Sequence, residues 1–363
     1  MEISIIQTRF ASKGAGGGEI HTENLARALQ RLGHSVVIHT STPKYRRPGI
    51  SDLKIIEYQV PFDINPIAEI ILAQRAFDAT QASDVALLTD GSAWRAVDLP
   101  IPTVMVFHFV WHGWCNRHNP INDILFKKPQ SLLYRQMENK IAEKSDAIIS
   151  ISPGMKEDIR RIADIEEKIH SIPNGVDVER FHPVDERYSE FTVHFQGRLV
   201  EMKNPGVLID AVAKSNGTWR VTIGGDGPLR EDLEKRAEDL EVGSRIEFLG
   251  YVPDDELPER YAKSDVYVLP SSYEGMPLTV LEAAASGTPV VASPRAATDF
   301  VDSEIGRVVE PEPDELANVL DDLSRHPDLV SCLGENARSR AESYSWSAIA
   351  EKYESLFEAL VKE

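Results

Sequence analysis

Short apolar runs alternate with helical patterns along the first half of this chain of 363 residues. The first run covers residues 3–6, and the helix after it carries leucines on one face and would end at Gly33. Further runs of the same kind lie at 36–38, 85–88, 104–107 and 147–151. Such alternation predicts βαβ units, and therefore a mainly parallel sheet with helices on its faces.

The second half of the chain repeats this pattern. Its apolar runs lie at 191–196, 221–223, 246–249, 266–269 and 290–292. Asn204 is expected to cap a helix that begins at Pro205. Because the chain is longer than one hydrophobic core usually allows, we expect two doubly wound α/β domains with parallel sheets.

Turn-forming residues at 172–183 mark the natural join between the two halves. The sequence therefore predicts a first domain over 1–172, a linker over 173–188 and a second domain over 189–343. An amphipathic helix completes the chain over 344–363.

Composition narrows the class of protein. The formal net charge of −19 opposes loose attraction to nucleic acid or to anionic lipid. The only cysteines, Cys115 and Cys332, lie in widely separated parts of the sequence, so we expect no disulfide scaffold, which fits a reducing compartment. The first residues lack signal-peptide features, and no apolar run approaches the roughly 18 residues that span a bilayer. We expect a cytoplasmic protein, with the apolar and basic stretch 124–128 able at most to touch a membrane peripherally.

The stretch 270–287 joins a strand end to a helix and carries a carboxylate on each side of the junction. Pro277 is expected as the first helical residue and Gly287 as the stop. Glu274 would then lie in the loop just before the free helix amides, and Glu282 on the helix among apolar neighbours. Helix amides bind phosphate, and carboxylates accept hydrogen bonds from sugar hydroxyls. The combination favours a nucleotide-sugar.

Two cations follow the strand at 191–196. Arg198 comes directly after Gly197, and Lys203 immediately precedes the expected helix. Cations beside free helix amides form an anion site suited to a diphosphate. No D-x-D pair occurs in the sequence, so we expect Arg198, Lys203 and helix amides, and no metal ion, to neutralise the diphosphate.

The glycines at 14–18 do not make a dinucleotide-binding fingerprint. Glu19 occupies the last glycine position, and the second strand ends at His39 without the acidic residue that would hold an adenosine ribose. Glycines at these positions still let a ligand approach the backbone closely.

His108 ends a strand, where a polar group can contact a substrate. Together with His112, Cys115 and His118 it could in principle bind zinc, but the spacing matches no compact metal motif, and we expect no metal. Trp111 and Trp114 could stack on an acceptor or belong to the core.

Taken in order, these motifs resemble those of the retaining glycosyltransferases of family 4, whose GT-B architecture has two facing Rossmann-like domains. The matching segments are 14–18, 173–177, Gly197 to Lys203, 224–228 and the glutamates of 270–287. The resemblance covers nearly the whole chain. It implies an N-terminal acceptor-side domain, a C-terminal domain for the nucleotide-sugar, and a last helix that packs back on the N-terminal domain.

The resemblance also implies roles for single residues. Arg198 and Lys203 would neutralise the donor diphosphate, Glu274 would contact hydroxyls of the transferred sugar, and Glu282 would contact the ribose. His108 would touch the sugar from the opposite domain and counts with Arg198, Lys203 and Glu274 as catalytic. The remaining donor-binding residues would be Gly16, Gly17, Val252, Met276, Pro277 and Leu278.

The implied reaction moves a hexose from a UDP- or GDP-linked donor to a hydroxyl of a sugar, a glycan precursor or a lipid-linked acceptor. It retains configuration by front-face displacement and needs no cofactor, since the nucleotide-sugar is a substrate. Two alternatives remain open: a sugar-nucleotide 2-epimerase of the same architecture, and a non-catalytic sugar-nucleotide sensor.

Overall fold

The computed structural model describes residues 1–10, 16–42, 49–59, 67–89, 97–110 and 135–362, without the side chains of 67–70 and 73. Two compact units make up the chain. The first contains Met1–Gly175 and Trp346–Glu363, and the second contains Val176–Ser345.

The first unit is built on a seven-stranded parallel sheet with strand order β3-β2-β1-β4-β5-β6-β7. The strands are β1 (Glu2–Ile6), β2 (Ser35–Ser41), β3 (Lys54–Tyr58), β4 (Val85–Leu88), β5 (Thr103–Phe107), β6 (Ala147–Ser150) and β7 (Ile169–Ser171). The central strands are apolar and buried along almost their whole length, as expected for a sheet covered on both faces.

Helices α1 (Gly17–Arg31), α2 (Ile67–Thr80) and α3 (Pro153–Arg160) connect these strands, and residues 135–144 are also helical. The predicted stop of α1 is confirmed, because the helix ends just before Gly33, whose φ is +91°. The start of α3 is fixed by Ser152, whose hydroxyl accepts a hydrogen bond from Met155 N.

The second unit has a six-stranded parallel sheet with strand order β10-β9-β8-β11-β12-β13. The strands are β8 (Thr192–Gln196), β9 (Arg220–Gly224), β10 (Ile246–Gly250), β11 (Val266–Leu269), β12 (Val290–Ala292) and β13 (Gly306–Val308). The prediction of two parallel-sheet α/β domains is therefore confirmed.

Seven α-helices are described in the second unit. They are α4 (Gly206–Lys214), α5 (Arg230–Asp239), α6 (Leu257–Lys263), α7 (Leu278–Ala285), α8 (Pro294–Ala297), α9 (Pro313–Arg325) and α10 (Pro327–Glu342). The predicted helix in 270–287 is α7, which starts one residue later than expected, since Pro277 has the extended backbone of an N-cap. Gly287, at φ +74°, follows the helix end as predicted.

The predicted cap at Asn204 is wrong. Residues Glu201–Lys203 form a short 3₁₀ turn, and Asn204 ends it in the left-handed region with φ 51° and ψ 44°. Asparagine tolerates this conformation better than most residues. Helix α4 begins only at Gly206, with Pro205 as its N-cap residue and no side-chain hydrogen bond to the cap.

The last helix, α11 (Trp346–Lys362), packs against α1 within the first unit. The imidazole of His34, just after α1, lies 2.9 Å from Glu354 Oε1 on α11. Among the described residues, no helix combines the length and the apolar character needed to cross a membrane.

Candidate active site

Three loops meet at the carboxyl edge of the second sheet, after β8, β9 and β10. Gly197 N donates to Gly224 O at 3.0 Å, and Gly225 N donates to Gly250 O at 2.7 Å. Gly225 has φ +118°, and a Cβ there would lie 1.9 Å from Gly197 O. Only glycine allows this approach of two backbones. The loops after β8, β9 and β10 are therefore joined through their backbones, which fixes the positions of the side chains that they carry.

Lys203 and Glu274 form an ion pair at this edge. The Lys203 ammonium donates to Glu274 Oε1 at 2.6 Å, and the two side chains are only 17% and 10% exposed. The pair is supported by a second link between the same loops, in which Ser272 N donates to Met202 O at 2.8 Å. Sequence reasoning assigned the two charges to different parts of a ligand and missed that they neutralise each other.

Arg198 differs from Lys203 in its surroundings. Its side chain is exposed, and within the described part of the chain no carboxylate lies within ion-pair distance of it. Its carbonyl accepts a hydrogen bond from Val200 N, which tightens the loop after Gly197. Arg198 therefore has guanidinium donors available for an anion, and it precedes Lys203 by five residues in the sequence.

Glu282 lies on α7 and is half-buried. Its Oε2 accepts a hydrogen bond from the Tyr261 hydroxyl at 3.1 Å. Burial raises the pKa of Glu282 to about 7, while the bond from Tyr261 and the charge of Arg180 act in the opposite direction. The same burial raises the pKa of Tyr261 well above its usual range, so Tyr261 stays a donor. Glu282 therefore titrates near neutrality.

The start of α7 brings the other predicted donor-binding residues of this segment together. Pro277 is the N-cap residue, and Met276 and Leu278 on either side of it are buried. A helix leaves its first amides without intrahelical acceptors, and here no side chain caps them. Val252 lies at the neighbouring loop, where its Cγ2 would be 3.0 Å from a Cβ at Gly224.

The predicted glycines of the first unit lie at the beginning of α1. Gly16 is the N-cap residue and Gly17 the first helical residue, while residues 11–15 fall outside the described part of the chain. Gly16 N donates to Glu19 Oε2 at 2.9 Å. Glu19, which breaks the dinucleotide fingerprint, thus serves as a cap of this helix.

His108 follows β5 and lies against this helix. A Cβ at Gly18 would be 3.7 Å from His108 Cδ2. The Nε2 atom of His108 is buried and has no hydrogen-bond partner among the described residues. Burial lowers the pKa of His108 to about 4, so the ring is neutral at pH 7. The predicted ligand contacts of Trp111 and Trp114, the zinc alternative at His112, Cys115 and His118, and the stretch 124–128 lie outside the described residues.

The predicted residues thus fall into two groups. Gly16, Gly17 and His108 belong to the first unit. Arg198, Lys203, Val252, Glu274, Met276, Pro277, Leu278 and Glu282 belong to the second. Sequence reasoning missed His21 and Tyr261, which contact His108 and Glu282 respectively. His21 precedes Leu25 by four residues on α1, and this helical spacing places it on the buried face.

Two family models match consecutive parts of the chain. The model "Glycosyltransferase Family 4" matches residues 15–180, and "Glycosyl transferases group 1" matches residues 179–340. The chain belongs to the family 4 glycosyltransferases. The resemblance drawn from its motifs is therefore confirmed, and so is the transferase class.

Relatives of this glycosyltransferase extend over nearly its whole length. A D-inositol 3-phosphate glycosyltransferase from Corynebacterium jeikeium is 28% identical, with 95% of this chain and 92% of the relative covered. An MMP alpha-(1->4)-mannosyltransferase from Mycolicibacterium hassiacum is 26% identical, with 99% and 98% covered.

Solved structures share the GT-B fold. Sucrose-phosphate synthase from Thermosynechococcus elongatus superposes with a TM-score of 0.86 at 23% identity, covering 99% of this chain and 98% of the other. The Anabaena protein HepE, solved in complex with UDP-glucose, gives a TM-score of 0.82 at 18% identity, covering 99% and 100%.

Proposed function

We propose that this glycosyltransferase moves a hexose from a UDP- or GDP-linked donor to a hydroxyl of a sugar, a glycan precursor or a lipid-linked acceptor. The observation that carries the proposal is the Lys203–Glu274 ion pair at the carboxyl edge of the second sheet, together with the exposed Arg198 five residues before Lys203. A nucleotide-sugar offers a new partner to each member of this pair. Its diphosphate can bind Lys203, and its sugar hydroxyls can donate hydrogen bonds to Glu274. The structure of HepE with UDP-glucose, on the same fold, supports this choice of donor.

The donor diphosphate would lie between Arg198, Lys203 and the first amides of α7. Two cations and a helix N-terminus supply the positive charge that two phosphate groups require. With no D-x-D pair in the sequence, we propose that the protein uses these groups in place of a divalent cation.

The two glutamates would hold opposite ends of the donor. When Lys203 turns to the phosphate, Glu274 is left as an acceptor for hydroxyls of the transferred sugar. Glu282, fixed by Tyr261, would accept hydrogen bonds from the ribose. Val252, Met276 and Leu278 would supply the apolar walls.

We propose retention of configuration, with the acceptor oxygen attacking the anomeric carbon on the face from which the diphosphate leaves. The bond between that carbon and the phosphate oxygen breaks, the new glycosidic bond forms, and a donor phosphate oxygen takes the acceptor's proton. Glu274 is assigned no covalent role, because in the donor complex its carboxylate would accept hydrogen bonds from the sugar hydroxyls. Catalysis then consists of positioning and of electrostatic stabilisation of the leaving diphosphate.

Binding is tested with a thermal-shift panel of UDP, GDP, UDP-glucose and GDP-mannose, in buffer with EDTA. The matching donor should raise the melting temperature by mass action. Turnover of that donor is then measured with sugars and with D-inositol 3-phosphate as acceptors, the latter because of the relatives' names. Silence across the panel, an epimerised nucleotide-sugar, or binding without turnover would each overturn the proposal.

Arg198→Ala and Lys203→Ala test the diphosphate site directly. Each should lower kcat/KM by about a hundredfold or more, on the scale of a lost oxyanion donor. Arg236→Ala is the matched control, because Arg236 forms its ion pair with Asp210 on the surface of the same unit. Near-normal turnover in both site variants would refute the assignment.

A further inference from the structure

We infer that His21 is a positioning residue that holds the His108 imidazole in the orientation needed at the transferred sugar. The inference rests on the proposed function, together with the contact to the transferred sugar that the family resemblance implies for His108. The His21 side chain is fully buried on α1, and its ring centroid lies 4.4 Å from that of His108, with the ring planes at 69°. This edge-to-face contact restricts rotation of the His108 ring.

The hydrogen bonds of His21 identify its tautomer. Nδ1 lies 2.9 Å from Asn174 Oδ1, which can only accept, so Nδ1 carries the proton and donates. Burial lowers the pKa of His21 well below its usual value, so the ring is neutral and Nε2 is an acceptor. The Tyr353 hydroxyl, 3.2 Å from Nε2, therefore donates to it. With both nitrogens engaged, His21 cannot rotate without losing two buried hydrogen bonds.

The surroundings of His21 are closely packed. Gly175, next to Asn174, lies so close to Trp346 that a Cβ there would be 2.6 Å from its ring. Trp346 also packs on His21, with ring centroids 5.2 Å apart. The segment that leaves the first unit at Gly175 and the helix that returns to it at Trp346 thus meet at His21.

A purely structural core would not need this arrangement. An apolar side chain could fill the position of His21 without buried polar atoms to satisfy. The arrangement instead keeps His108 Nε2 buried and without a partner among the described residues. A buried nitrogen of this kind is costly unless a ligand completes it. His21 fixes the direction in which that nitrogen points.

A double-mutant cycle tests this role. His21→Gln should lower kcat for UDP-glucose or GDP-mannose by about tenfold, the scale of a small misplacement, with KM nearly unchanged. In a His108→Ala background the same change should cost nothing further, because the group it orients is gone. Equal losses in both backgrounds, or a loss in KM alone, would overturn the inference.

His39→Gln is the matched control for a buried histidine. His39 is also buried in the first unit and has two hydrogen-bond partners, Ser4 at 3.1 Å and Tyr58 at 3.0 Å. It should change melting temperature as His21→Gln does and leave kcat near the wild-type value. Tyr353→Phe, which keeps the ring but removes the hydroxyl, covers the case in which His21→Gln does not fold, and should lower kcat in the same direction.

The orientation itself is measured in crystal structures of the wild type and of His21→Gln or Tyr353→Phe. The His108 ring should adopt a different or mixed orientation in the variants, and an unchanged ring would overturn the inference. This readout needs no turnover. A wild type that transfers no sugar would refute the proposed function, while the ring orientation would still decide the role of His21.

Discussion

Replacing Glu282 with glutamine should make the protein more stable at alkaline pH and weaken its hold on the donor. The carboxyl group lies on α7, half-buried, with the Tyr261 hydroxyl as its hydrogen-bond donor. Burial raises its pKa from 4.5 to about 7. A raised carboxyl pKa means that the folded protein carries an ionised group less readily than the unfolded chain does.

The magnitude follows from this difference in pKa. At 1.36 kcal/mol per pKa unit, ionised Glu282 lowers the free energy of unfolding by about 3 kcal/mol at pH 8. Since the side chain keeps some contact with solvent, we expect about 2–3 kcal/mol. The cost falls as pH drops through 7, because the folded form becomes protonated. At pH 5 it should be about 1 kcal/mol or less.

The assay is urea unfolding of the wild type and Glu282→Gln at pH 5 and pH 8, followed by circular dichroism. Glutamine keeps the shape and an acceptor for Tyr261, so the variant's advantage should grow with pH. Glu238→Gln, on the exposed side of α5, is the control and should show no such growth. An advantage that is equal at both pH values would refute the reasoning.

The Glu282→Gln variant should also bind UDP-glucose at least about tenfold more weakly at pH 8, since a charged acceptor for the ribose is lost.

Two further predictions concern the framework of the second unit. Gly225→Ala should lower the free energy of unfolding by about 2 kcal/mol or more, because the φ of Gly225 is positive and a Cβ there would meet Gly197 O. The control Gly243→Ala, with open space around the new methyl group, should change the urea midpoint little. Asp321→Asn should destabilise the unit by about 2 kcal/mol at pH 7, because the carboxylate accepts several hydrogen bonds, among them one from Trp219 Nε1 at 2.7 Å. Burial acts to raise the pKa of Asp321, but these hydrogen bonds outweigh it and the pKa is lowered. That loss should shrink as pH falls below the ordinary aspartate pKa of about 4 and on through the lower pKa of the folded wild type, and a pH-independent loss would contradict it.

The central strands were predictable because they are apolar and buried on both faces, and β4, β11 and β12 match the expected ranges. The edge strands were not. β3 is half-exposed, and β7 and β13 have only three residues each. Such segments carry little hydrophobic pattern, and their pairing depends on a neighbour that the local sequence does not identify.

The sequence predicts which residues belong to the candidate site, but it does not predict which of them contact each other. Glu274 and Lys203 are 71 residues apart, and both follow strands whose order in the sheet decides whether they meet. β8 and β11 turn out to be neighbours, which brings the two loops together. His21 shows the same limit. Its helical spacing indicates burial, but its partners Asn174 and Tyr353 come from distant parts of the chain.

The geometry of the second unit also indicates what must move when a donor binds. The loops after β8, β9 and β10 are joined by backbone hydrogen bonds, and Gly225 leaves no room between two of them. A ligand therefore has little loop entropy to overcome at this edge. In the proposed donor complex the larger cost is the Lys203–Glu274 pair, which would have to open so that each charge can face the donor. Since the diphosphate and the sugar hydroxyls replace the lost partner on each side, neither charge is left buried and unpaired. In this proposal, donor binding and positioning depend on one exchange of partners at a preformed edge.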